Sequence, residues 1–130
     1  MNQPCNKSVL IIDDDAAMLR ALEKVLASEG WKTTCTTSVE DAMAILGDRK
    51  TPIDLIITDF LMPGISGLTG LYGIHNLFPA LPVIVLTACE AADVRTECLS
   101  HGAAAFLEKP LDAAHLLSIV ETVCQGGTSG

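Results

Sequence analysis

Aromatic residues are scarce: three Phe, one Trp and one Tyr in 130 residues. A core must therefore be built mainly from Ala, Val, Ile and Leu, within a hydrophobic content of 49%. Basic side chains are also few, 8 against 16 acidic, for a formal charge of −8. A surface this acidic repels a phosphate backbone, which argues against direct nucleic-acid binding by this segment. Long apolar runs are missing. The aliphatic stretches end after about four to five residues, and "MNQPCNKS" holds nothing of signal-peptide length, so no membrane span is expected and a cytoplasmic location is. Cysteines with metal or redox spacing are missing too. Cys5, Cys35, Cys89, Cys98 and Cys124 are odd in number, scattered and without a C-x-x-C pair, and read as small buried or half-buried thiols. With only 18% charged residues, the composition is not that of a disordered chain.

What is present is a repeating alternation. The length suits one domain, expected over residues 8–124, with a tail at 1–7 and a tail or the start of a linker at 125–130. Short strand-like runs recur at 9–12, 32–36, 54–58, 82–87 and 103–107. Helical spacing lies between them. Behind Asp15, a good N-cap, Met18, Leu22, Val25 and Leu26 share one face and Gly30 ends the helix. A second helix is expected over 39–47 with Ser38 as cap. A glycine-rich third covers 67–78, a fourth covers 91–101 and stops at Gly102, and a fifth covers 113–124 with Leu116, Val120 and Val123 on one stripe. Five strands alternating with helices imply an α/β fold, because parallel neighbours need helical crossovers. The expected architecture is flavodoxin-like, (βα)5, around a central five-stranded parallel sheet of order 2-1-3-4-5, with its ligand crevice beyond the carboxyl ends of the strands.

The strand ends carry the chemistry. The first strand, "VLII", delivers Asp13, Asp14 and Asp15; Asp59 follows the third, Thr87 ends the fourth, and Lys109 lies just beyond the fifth. Carboxylates gathered in one crevice repel one another unless a cation sits among them, and an all-oxygen set of high charge favours Mg²⁺. A lysine and a hydroxyl aimed at the same place suit a tetrahedral anion, most naturally a phosphoryl group. Singly, each residue has a plainer reading: Asp59 as a turn marker, Thr87 as a β-former, Lys109 as a solvated charge and Phe106 as a core ring. Their joint placement is what gives them weight. His75, His101 and His115 share no ligand spacing and read as surface or boundary residues. Gly70 and Gly73 are unfavourable within a helix, by roughly 1 kcal/mol each.

The pieces "VLIIDDDAAMLRALEKVL", "DLIITDFLMPGISGL", "PVIVLTA" and "GAAAFLEKPLDAAHLLSIV", in that order, resemble the receiver domain of bacterial two-component response regulators, over about Ser8 to Cys124. The resemblance implies that Asp59 is the phosphoacceptor, taking a phosphoryl group from a sensor histidine kinase or phosphotransfer protein. It implies that Asp13, Asp14, Asp59 and the backbone carbonyl of Leu61 hold Mg²⁺, with Asp14 the direct ligand of the acidic pair and Asp13 acting through water. Thr87 and Lys109 would bond phosphoryl oxygens, the link from Lys109 to Pro110 being cis. Phe106 would move inward when Thr87 is recruited. Ala88 would govern donor access, and Leu61 and Cys89 the lifetime of the phosphoryl group. The surface of the fourth helix, fifth strand and fifth helix would then engage an output domain or downstream protein, with a homodimer on phosphorylation also compatible. Such a protein catalyses its own phosphorylation and dephosphorylation and is otherwise a switch.

Three other readings compete. A receiver-like interaction module that no longer uses phosphate would keep the fold without Mg²⁺ affinity. A flavin electron carrier would need a hydroxyl-rich first loop and more aromatic rings. An aspartate-dependent phosphatase would fit the spacing of Asp13 and Asp15 but lacks a following Thr. After Cys124 only "QGGTSG" remains, expected as flexible chain.

Overall fold

A computed structural model describes residues 7–48, 50–59, 67–87, 96, 98–100, 102–108 and 112–124. The strands are β1 (Ser8–Ile12), β2 (Lys32–Thr36), β3 (Leu55–Asp59), β4 (Val83–Thr87) and β5 (Ala105–Glu108). The helices are α1 (Ala16–Ala27), α2 (Val39–Leu46) and α3 (Gly67–Leu77), then helical residues 96 and 98–100, labelled α4, and α5 (Ala113–Cys124). All neighbouring strands are parallel, as the alternation of elements predicts, and their order is β2-β1-β3-β4-β5, the one expected of a flavodoxin-like architecture.

Period-two alternation sorts the strand residues onto two cores. Val9, Ile11, Leu55, Ile57, Ile84, Leu86 and Leu107 pack with Leu22 and Leu26 of α1 and with Leu116 and Val120 of α5. On the other side, Leu10, Ile12, Ile56, Val83, Val85 and Phe106 pack with Ala42 of α2, Leu71 and Ile74 of α3, and Cys98 of α4. Strands covered on both sides explain why β1, β3 and β4 are buried at every residue.

The helix ends follow from local chemistry. Asp15 Oδ1 accepts from the backbone N–H groups of Ala17 and Met18 at 3.0 and 3.4 Å. Ser38 Oγ accepts from Asp41 N–H at 3.1 Å, so both expected caps form. After α1 the chain turns through Gly30 at φ +89°, and Trp31 N–H reaches back to the Leu26 carbonyl at 3.1 Å. That left-handed closure satisfies carbonyls left over at the helix end.

Several boundaries move by a residue or two from their expected positions, and two of the shifts bear on the site. β3 runs one residue further than the 54–58 run, so Asp59 is its last residue and still within the ladder, opposite Leu86. β5 begins at Ala105 instead of residue 103. Ala103 N–H is spent on the Cys98 carbonyl, 3.0 Å away, to close α4, and Ala104 makes the first bond to β4, from its N–H to the Val83 carbonyl at 2.8 Å. Three consecutive alanines carry no side-chain signal to separate a helix end from a strand start.

Candidate functional site

The strand register builds the site. Ile12 lies opposite Thr58, so Asp13 and Asp59, each one residue on, stand level at the carboxyl ends of β1 and β3. Asp59 continues the side of the sheet occupied by Leu55 and Ile57, and Asp13 that of Val9 and Ile11, so both carboxylates rise from the α1/α5 face. Asp13 is 1% exposed and Asp59 7% exposed, whereas Asp14 is open to solvent. One carboxylate oxygen from each of the three lies within 4.8 Å of the others.

Asp13 is held from two directions. Its N–H donates to the Thr36 carbonyl at the end of β2, 3.1 Å away, and its Oδ1 accepts from the Asp15 N–H at 2.9 Å. The third acid of the triplet is therefore turned away from the other two, with its own carboxylate on the first turn of α1. The sequence correctly marks Asp15 as a cap. The bond from its N–H to Asp13 was not anticipated, although Asp readily binds the backbone N–H two residues on.

Thr87 is fully buried at the end of β4 and Phe106 is 5% exposed on β5. Val85 lies opposite Phe106, so Thr87, two residues beyond Val85, continues the same face. The hydroxyl and the ring thus belong to the α2/α3 side of the sheet, and the carboxylates to the opposite side. Leu86 lies opposite Asp59, so Thr87 stands one residue beyond it at the carboxyl edge.

The donor set fits a hard divalent cation. It is all oxygen and carries three formal negative charges within 4.8 Å, the kind of donor set that Mg²⁺ prefers.

The model of the response regulator receiver domain matches residues 9–121, nearly the whole chain. The chain belongs to that family. Over 94% of its length this receiver domain is 35% identical to the response regulator protein FleR of Pseudomonas aeruginosa, covering 25% of that protein. Over 87% of its length it is 37% identical to the DNA-binding transcriptional regulator NtrC of Salmonella typhimurium, covering 24%. The chain thus spans about a quarter of the length of these curated relatives. Among solved structures it resembles the CheX-CheY-BeF3-Mg²⁺ complex of Borrelia burgdorferi, with a TM-score of 0.84 and 31% identity, covering 90% of this chain and 88% of that one.

Several expectations for this receiver domain fall on Leu61, Ala88, Cys89, Lys109 and Pro110, which lie outside the described residues, as does residue 101 and most of the expected fourth helix. Of the other histidines, His115 is exposed and His75 is half-buried. The His75 ring covers Gly102, where the chain turns at φ +107°. Gly73 needs no such explanation, since a Cβ there would meet only the Met43 Cε, at 4.0 Å. Among the described residues no helix is long and apolar enough to cross a membrane.

Proposed function

We propose that residues 8–124 form a phosphoacceptor switch in the cytoplasm, and that Asp59 accepts a phosphoryl group from the phosphohistidine of a sensor kinase or phosphotransfer protein. A carboxylate oxygen of Asp59 attacks phosphorus, the P–N bond breaks, and the imidazole leaves with the electron pair and takes a proton. The product is an aspartyl phosphate. The observation that carries this reading is the level placement of Asp13 and Asp59 at one sheet edge, with three carboxylate oxygens inside 4.8 Å.

Asp13, Asp14, Asp59 and the Leu61 carbonyl would hold Mg²⁺, which when bound offsets negative charge on the phosphoryl oxygens. The residues do the positioning. β3 presents the Asp59 carboxylate from a strand buried on both sides, which limits the conformations it must search before attack. Lys109 and Thr87 would each bond a phosphoryl oxygen. Drawing the Thr87 hydroxyl toward the site rearranges the face it shares with Phe106, and so changes the surface of α4, β5 and α5. That surface engages the output, an output domain or a downstream protein, or a second copy on phosphorylation. In support, the similar Borrelia burgdorferi structure is a complex of CheX and CheY with BeF3 and Mg²⁺, and the similar NtrC is a DNA-binding transcriptional regulator.

The test is intact mass after incubation with a small-molecule phosphodonor, with and without Mg²⁺. A single Mg²⁺-dependent phosphoryl adduct, absent from Asp59→Asn, is expected. No adduct from a folded wild type under either condition would turn the reading to the phosphate-independent module.

A further inference from the structure

We infer that Asp15 is a positioning residue for the cation site: it contacts neither cation nor phosphoryl group, but sets the orientation of the Asp13 carboxylate through its own N–H. The inference rests on the proposed function, because it assigns a role in the same site. Asp15 faces two ways. Its carboxylate accepts the Ala17 and Met18 N–H groups, its carbonyl accepts the Leu19 N–H at 3.0 Å, and its N–H donates to Asp13 Oδ1 at 2.9 Å.

The consequence is a chain of fixed parts. Leu22 and Leu26 anchor α1 in the core, at 2% and 0% exposure. The cap then fixes Asp15 relative to the first turn of α1, and Asp15 fixes one oxygen of Asp13. At the other end, the bond from Asp13 N–H to the Thr36 carbonyl ties the Asp13 backbone to β2. With one oxygen engaged and the backbone pinned, the carboxylate has little rotational freedom left. Groups that orient a metal ligand in this way commonly change affinity by about 10- to 100-fold when lost. Without the cap, the Asp15 backbone is free to leave the geometry that holds Asp13.

Two explanations of an Asp15 effect must be separated. If Asp15 acts by negative charge alone, Asn and Ala should be equally poor. If it acts through the cap, Asn and Ser, which cap as well as Asp, should preserve function while Ala does not.

The experiment compares wild type, Asp15→Asn, Asp15→Ser, Asp15→Ala and Ser38→Ala. Two quantities are read: the residue-15 amide proton by NMR in the metal-free protein, and Mg²⁺ affinity by calorimetry. Ser38→Ala removes a similar cap from α2 and reports general destabilisation. The expected result is a hydrogen-bonded residue-15 amide in wild type, Asn and Ser variants, lost in Asp15→Ala. Mg²⁺ affinity should fall about tenfold in Asp15→Ala and stay near wild type in the Asn, Ser and Ser38→Ala variants. An Asn variant as weak as the Ala variant, or an Ala variant with full affinity, overturns the inference. If the wild type takes up no Mg²⁺, the proposed function fails; the metal-free amide comparison still decides whether Asp15 holds Asp13, and an unchanged amide in Asp15→Ala refutes it.

Discussion

Replacing Gly102 by Ala should cost this domain far more than the same change at Gly30, although both glycines have positive φ. At Gly30, φ is +89° and a new Cβ would meet nothing within 4 Å, so only the backbone strain applies, about 1–2 kcal/mol. At Gly102, φ is +107° and the Cβ would lie 2.6 and 2.7 Å from Cδ2 and Nδ1 of His75, well inside contact distance. Forcing atoms into a filled site adds about 1–3 kcal/mol, for a total of about 2–5 kcal/mol. Gly73→Ala supplies the opposite sign. With the Met43 Cε 4.0 Å from its Cβ and an ordinary helical backbone, it should stabilise by up to about 1 kcal/mol. Urea unfolding of the three variants, compared at constant m, measures the series. His75→Ala combined with Gly102→Ala should recover the steric part and leave the backbone part, a coupling of about 1–3 kcal/mol. A Gly102→Ala cost no greater than that of Gly30→Ala, or a coupling near zero, would refute the placement of the His75 ring over the α4–β5 turn.

Two further predictions follow from the edge strand and from the acids. Burial lifts the Cys35 thiol above its ordinary value of 9.0, and the nearby Glu23 carboxylate adds to the lift. The folded state therefore holds this proton to higher pH than the unfolded chain. The resulting stability is fully present below pH 9.0 and is lost as pH rises from there through the folded-state value. Wild type should then lose stability above that pH more steeply than Cys35→Ser, and equal slopes would contradict the assignment. Mg²⁺ at a hundred times its dissociation constant should raise wild-type stability by about 2.7 kcal/mol. At the same concentration Asp13→Asn should gain clearly less in a thermal melt, and an equal gain would remove Asp13 from the cation site.

Much of the site was legible because parallel β/α folds deliver residues to a predictable edge. The aliphatic runs mark strands buried on both sides, and whatever follows each run is carried to the carboxyl end. On that ground alone Asp13, Asp14, Asp59 and Thr87 could be assembled before any coordinates, and the four matching segments supplied the family. Asp15 and Ser38 were readable as caps because capping depends on a few adjacent residues.

Local sequence by itself determined the element types, the helix caps and the list of residues brought to one edge, since these depend on periodicity and on near neighbours along the chain. Only the tertiary structure decided what depends on register and on contacts between distant segments. It set Asp13 level with Asp59, kept Asp59 inside the ladder, and divided the carboxylates from Thr87 and Phe106 across the two sides of the sheet. It also delayed β5 to Ala105 and brought His75 onto Gly102, a pair 27 residues apart by their numbers. The physical reason is that a shift of one residue in a strand reverses every side chain's face, and nothing in a run such as "AAAFL" states which register packing will choose.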